Sequence, residues 1–193
     1  MAEVGVAGLT MTRLARALSM QPPSLYKWFP SVLAVHDAVF ARGQRANLTA
    51  WSAGVAGAEP GLARLTAGLT ATARWAVDHP VEAQLLFWRP VPGFVPSREA
   101  MAPADELVRH LGSIVGEAVA RGQLSSGATT PEGLVVLSSL HFGVLSQHLA
   151  NEPGAAWDDG VYTRSYQRVV DLFTVAFAPP ADVAAPHRGR DRS

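Results

Sequence analysis

The chain has no cysteine, which excludes disulfides, thiolate zinc sites, iron–sulfur clusters and cysteine nucleophiles. Charge is scarce, at 17% of 193 residues, and balanced, with 16 Lys+Arg against 16 Asp+Glu. No run reaches the 18 or so uncharged apolar residues that a membrane span needs. The richest stretch, Leu134 to Ala150, is interrupted by Ser138, Ser139, His141, Gln147 and His148. The opening MAEVGVAGLT has neither a basic nor a long apolar region, so no signal peptide is expected and the protein reads as cytoplasmic, without a membrane partner. Also missing are a G-x-S-x-G elbow, a phosphate-binding G-x-x-x-x-G-K-[ST] loop, a G-x-G-x-x-G turn and an H-E-x-x-H pair. The six histidines include no pair four apart backed by a carboxylate. No enzyme, cofactor or metal site is therefore expected. With 48% hydrophobic residues, wholesale disorder is excluded as well.

The pattern that remains is helical. Ala, Leu and Arg are plentiful, and sustained two-residue alternation is missing, so the fold class is all-α. Prolines, glycines and capping residues set the boundaries. Helices are expected over 11–18, with Thr10 as N-cap, over 22–28 behind Pro22-Pro23, and over 32–48. Further helices are expected over 60–78, 81–87, 98–121, 131–151 and 157–177. Residues 51–59 (WSAGVAGAE) and 122–130 read as linkers, 89–97 as a proline-rich loop, and 179–193 as a disordered tail. Residues 1–48 would form one domain and 49–178 a second.

Charge is unevenly distributed. Residues 1–50 carry five basic and two acidic side chains (+3), residues 51–180 eight and twelve (−4), and the tail three and two (+1). A basic head on an acidic body suits a polyanion at one end. In TMTRLARALSMQPPSLYKWF, Leu14, Ala15 and Leu18 share a face of the first short helix. Leu25 with Trp28 or Phe29 offers the matching face on the second, and Trp28 is expected in the core. A three-residue turn, Ser19-Met20-Gln21, then holds the pair at a steep angle, as in a helix-turn-helix. The outward edge carries Gln21, Pro22, Ser24, Tyr26 and Lys27, side chains able to meet base edges, phosphates or a thymine methyl. Thr10 at its N-cap leaves amide N–H groups facing an anion.

The run TMTRLARALSMQPPSLYKWFPSVLAVHDAVF resembles the DNA-binding domain of TetR-type transcriptional regulators. Thr10, Leu14-Ala15, Leu25-Tyr26 and Phe29 fall on that family's pattern. The family's turn glycine is Ser19 here, its following serine is Gln21, and its lysine after the Phe is absent from Pro30-Ser31-Val32. The resemblance implies a DNA-facing set of Thr10, Gln21, Pro22, Pro23, Ser24, Tyr26 and Lys27, with double-stranded operator DNA as partner. The family also places a full helix ahead of this run, for which the nine residues before Thr10 are too few. Leu14, Leu18, Leu33 and Val39 are then expected to keep apolar area exposed, and the polypeptide to bind operator DNA poorly.

The segment ARWAVDHPVEAQLLFWRPVPGFVPS, with LHFG at 140–143, is similar to the WHG-type C-terminal domain of some TetR-type regulators. That resemblance implies a pocket for an unknown small-molecule effector and a homodimer through helices 131–151 and 157–177. Leu134, Leu137, His141, Val144, Leu145 and His148 form one stripe on those helices, and Tyr162, Tyr166, Val169, Phe173 and Phe177 another. Such stripes either pair with a symmetry mate or complete the core of one protomer. Trp75, Phe87, Trp88, Phe94, Met101, His110, His141 and Phe142 are the candidate pocket lining, because small-molecule sites favour aromatics with a few polar groups. The sequence thus reads as a ligand-responsive, dimeric transcriptional repressor. The alternative is a helical small-molecule-binding or dimerisation protein with vestigial DNA-binding helices.

Overall fold

The computed structural model describes residues 8–180, and every regular element among them is helical. The expected tail lies outside the described residues from position 181 onward. In order the helices are α1 (Met11–Ala17), α2 (Pro22–Leu25), α3 (Val32–Val55), α4 (Leu62–Asp78), α5 (Pro80–Ala83), α6 (Arg98–Ala120), α7 (Pro131–Asn151), α8 (Val161–Arg164) and α9 (Tyr166–Ala176). A π-helical turn, Gln84–Trp88, continues α5, and a 3₁₀ turn, Ser126–Thr129, leads into α7. Caps sit where hydroxyls stand ahead of apolar runs. Thr10, Ser31, Ser97 and Thr130 each accept an N–H three residues on, satisfying a donor that has no intrahelical acceptor.

Two apolar clusters organise the chain. A small one joins Met11, Ala15, Leu25 and Val35, with Leu14, Phe29 and Val39 against it. A large one gathers Phe40, Trp51, Leu65, Leu69, Leu85, Val115, Leu137, Leu145, Tyr166 and Phe173. Helix α3 contributes to both. Its first turns close the small cluster, and its remainder packs on α4 and α6.

Helix α3 also corrects the expected linker. The helix does not stop near Leu48 but runs to Val55. Trp51 is 1% exposed, and the small residues around it permit close approach rather than flexibility. A Cβ at Gly54 would stand 2.5 Å from Ala71 Cβ and 2.9 Å from the Ala67 carbonyl oxygen, and one at Gly68 would stand 2.7 Å from the Trp51 ring. Glycine here lets two backbones approach across the helix crossing.

A second correction concerns residues 157–177. In place of one helix, residues 157–159 form a turn, and α8 and α9 meet at Ser165. The Glu152 carboxylate accepts the N–H groups of Val161 (3.0 Å) and Tyr162 (3.5 Å), giving α8 its own N-terminus. Those N–H groups hold the Glu152 pKa below the ordinary carboxylate range.

The two predicted stripes belong largely to the chain's own core. Leu137, His141, Leu145, His148, Tyr166 and Phe173 are all buried. The opposite faces of the same helices expose Val135, Phe142, Val161, Leu172 and Val175. By length and composition α7 is the one helix among the described residues that could cross a membrane. It is apolar around much of its circumference, with one side turned to the core.

Candidate functional site

The paired short helices are built from local chemistry. Thr10 Oγ1 accepts the Arg13 N–H at 3.2 Å and starts α1. Ala15, 1% exposed, leaves room for Leu25, which is 2% exposed on α2. Between them the Ser19 N–H donates to Arg16 O (3.1 Å) and the Met20 N–H to Ala15 O (2.9 Å), while Ser19 takes the left-handed conformation at φ 54°. Two bonds of this kind over a left-handed residue close a helix end and turn the chain sharply. The position wants glycine. Ser19→Gly is expected to raise stability by about 0.5–1 kcal/mol, read as a rise in denaturation midpoint.

Helix α2 is shorter than expected, ending at Leu25 rather than near Trp28. Pro22 and Pro23 supply no N–H, and the Trp28 and Phe29 N–H groups both fall on Leu25 O at 2.9 Å, tightening the chain into a turn. That turn swings Phe29 toward the small cluster and leaves Trp28 76% exposed, contrary to its expected core place. Of the DNA-facing candidates, Thr10, Gln21, Pro23, Tyr26 and Lys27 are exposed, and Pro22 and Ser24 are half-buried. Leu18 and Leu33 keep exposed surface, at 53% and 39%, whereas Leu14 and Val39 pack partly against the small cluster.

The eight candidate pocket residues scatter over several places. Phe87, Trp88, His141 and Phe142 gather in one cluster, with ring centroids 4.8 Å apart for Phe87–Phe142 and 4.9 Å for His141–Phe142. His141 Nδ1 lies 2.6 Å from the Tyr166 hydroxyl, which donates to Leu69 O at 3.1 Å, so the imidazole is the donor to Tyr166. Burial lowers the His141 pKa to about 4 and raises that of Tyr166. The space beside this pair is only about 10 Å³, about the size of one water. Trp75 stacks on His79 at 5.2 Å. Phe94 packs 5.9 Å from both His36 and Phe40 of α3, and Met101 meets Arg89. His110 lies apart, with Trp51, Arg64 and Ser113, at a recess of about 250 Å³.

A cavity of about 510 Å³ lies elsewhere, between the end of α4, α5 and the end of α7. Val77, Val81 and Leu149 give it apolar walls, residues 153–156 a floor, and Asp78, Gln84 and His148 its polar groups. None of the eight candidates lines it. Its residues come from four short stretches with no shared spacing. The nearest signal was the pair His148 and Glu152, one helical turn apart and 3.3 Å apart in space.

The segment 80–97 links this body to α3. Glu82 pairs with Arg42 at 3.1 Å, a Cβ on Gly43 would meet Leu86 at 2.8 Å, and Asp37 accepts the Ser97 N–H at 2.7 Å.

Residues 65–173 match the family model described as the tetracyclin repressor-like C-terminal domain, more than half of the chain. The chain belongs to the tetracyclin repressor-like family. Among solved structures, a protein of unknown function from Rhodococcus sp. RHA1 is 22% identical over 89% of this chain and 86% of its own, with a TM-score of 0.70. A bacterial regulatory protein in the tetR family from Rhodococcus RHA1 is 16% identical over 91% and 90%, with a TM-score of 0.65. At these identities the two show a shared fold. No curated protein matches the chain. Family membership makes this tetracyclin repressor-like chain a transcriptional regulator with an all-helical body.

Proposed function

We propose that the protein is a ligand-responsive transcriptional repressor, cytoplasmic and without catalytic activity, that binds operator DNA as a homodimer and leaves it when a small molecule binds. Residues 1–48 are its DNA-reading domain and residues 49–178 its effector and dimer domain. The observation that carries this reading is the sharp turn at Ser19, which sets α2 beside α1 and leaves Gln21, Tyr26 and Lys27 exposed at its two ends. A duplex receives such a helix in its major groove. Thr10, Pro22, Pro23 and Ser24 complete the contact set by resemblance.

The outward apolar residues Val135, Phe142, Val161, Leu172 and Val175 support a dimer through α7 to α9. A helix apolar on both sides calls for cover on both. The cavity of about 510 Å³ falls within the range of small-molecule sites, roughly 300–1,000 Å³. None of Trp75, Phe87, Trp88, Phe94, Met101, His110, His141 and Phe142 lines this cavity, and His110 faces a separate recess of about 250 Å³. The alternative, a binding module with vestigial DNA-reading helices, draws on the brevity of α2, only four residues long.

A gel-shift titration on the DNA upstream of the gene separates the two. The regulator retards that DNA at about 50 mM salt and releases it steeply as salt rises. Lys27→Ala weakens binding and lowers the salt slope by about one. Unretarded DNA at low salt, from a folded dimer, leaves only the binding module.

A further inference from the structure

We propose that the 510 Å³ cavity takes a small organic cation, a protonated amine on an apolar body, with Asp78 as its counter-ion and Gln84 and His148 beside it. This rests on the effector-responsive reading above and supplies the chemical class of the effector.

Among the described residues Asp78 is the only one of fixed charge in the cavity lining, and its carboxylate makes no hydrogen bond or ion pair with any of them. The arginine one turn back, Arg74, is engaged elsewhere. Its guanidinium lies 3.3 Å from Asp158 and 5.0 Å from the centre of the Trp157 ring. His148, 1% exposed, turns Nδ1 to Glu152 at 3.3 Å, and Glu152 is held anionic by the Val161 and Tyr162 N–H groups.

Counting Asp78, Glu152 and His148 together, the local charge is −2 with a neutral imidazole and −1 with a protonated one. The balance is therefore negative in either state, and among the described residues no lining side chain offers an anion a fixed positive partner. With Nδ1 donating to Glu152, a neutral His148 keeps Nε2 as an acceptor. The Gln84 side chain, also without a hydrogen bond among the described residues, offers a second acceptor in its carbonyl. A donor-rich cationic head meets all three groups. Val77, Val81 and Leu149 suit its apolar body.

The site is also connected to the DNA-reading end. Gln84 opens the π turn, two residues after Glu82, which pairs with Arg42 of α3, and two before Leu86, which packs on Gly43.

Calorimetry on the full chain with three probes of one shape, phenylbutylamine, phenylbutanol and phenylbutyrate, tests the assignment. The amine is expected to bind about tenfold more tightly than the alcohol, and the acid more weakly than either, as one charge-assisted hydrogen bond implies. Asp78→Asn, at an exposed position, removes the amine's advantage while the alcohol is unaffected. Ala155→Trp, which fills the floor, weakens both. Equal or tighter binding of the acid, an undiminished amine preference in Asp78→Asn, or no binding of any probe overturns the proposal. The gel shift on the same preparations is read separately. Retarded DNA without an amine preference sinks the cation assignment alone. Unretarded DNA with an intact amine preference sinks the regulator and leaves a cation-binding protein.

Discussion

Gly54→Val is expected to destabilise the protein by about 3 kcal/mol, the upper part of the usual range for overpacking. Position 54 lies against α4, where even a Cβ would stand 2.5 Å from Ala71 Cβ and 2.9 Å from a backbone oxygen. A side chain can rotate away, but a carbonyl on a packed helix moves only if the helix moves. For a chain of this length the loss corresponds to a Tm lower by roughly 6–12 °C. Gly112 provides the control. It too is helical, but a Cβ there meets nothing within 4 Å, so Gly112→Ala stabilises by up to about 1 kcal/mol. Thermal denaturation of the two variants reads opposite signs. A valine tolerated at 54 would mean that α3 and α4 are not in close contact.

The second large effect is loss of stability in acid. His141 is neutral in the folded protein with a pKa of about 4, against 6.5 in the unfolded chain. Between those values the unfolded state binds a proton that the folded state refuses. The contribution is therefore complete above pH 6.5 and is lost as pH falls toward 4. The slope is about 1.4 kcal/mol per pH unit and the total about 3 kcal/mol. Glu152, whose pKa is held low, loses its own contribution only below the ordinary carboxylate range. Tyr166→Phe strands the His141 N–H and costs about 2 kcal/mol at neutral pH. Combining His141→Leu with Tyr166→Phe removes both polar groups and should abolish the slope between pH 6.5 and 4. Urea denaturation across that range measures both effects. A slope that persists in the double variant would place the titrating group elsewhere.

Legibility in the sequence followed the range of the interactions. Thr10 announces the start of α1 because a cap acts over three residues, and the limits of α7 match the expectation at both ends. The paired-helix motif was equally readable, since Ala15 and Leu25 meet across a short turn. The α3–α4 crossing was not. Glycine and alanine in WSAGVAGAE serve a flexible linker and a tight helix contact alike, and only the partner helix distinguishes the two. The separate start of α8 depended on Glu152, nine and ten residues away from the N–H groups that it caps. The cavity escaped notice for a related reason. Its polar groups, Asp78, Gln84 and His148, share no periodicity, whereas the more conspicuous aromatics fill space against one another.

Helix α3 passes without interruption from the small apolar cluster into the large one over 24 residues, a rigid rod of roughly 36 Å. A rod of that length amplifies small rotations. A tilt of about 5° at its body end sweeps the far tip through ~3 Å, close to the rise of one base pair along a duplex. Glu82 and Leu86 meet the rod near its middle, at Arg42 and Gly43, so a displacement there of about 1.5 Å, roughly doubled at the tip, is enough in leverage alone to shift α1 and α2 out of step with whatever surface they grip.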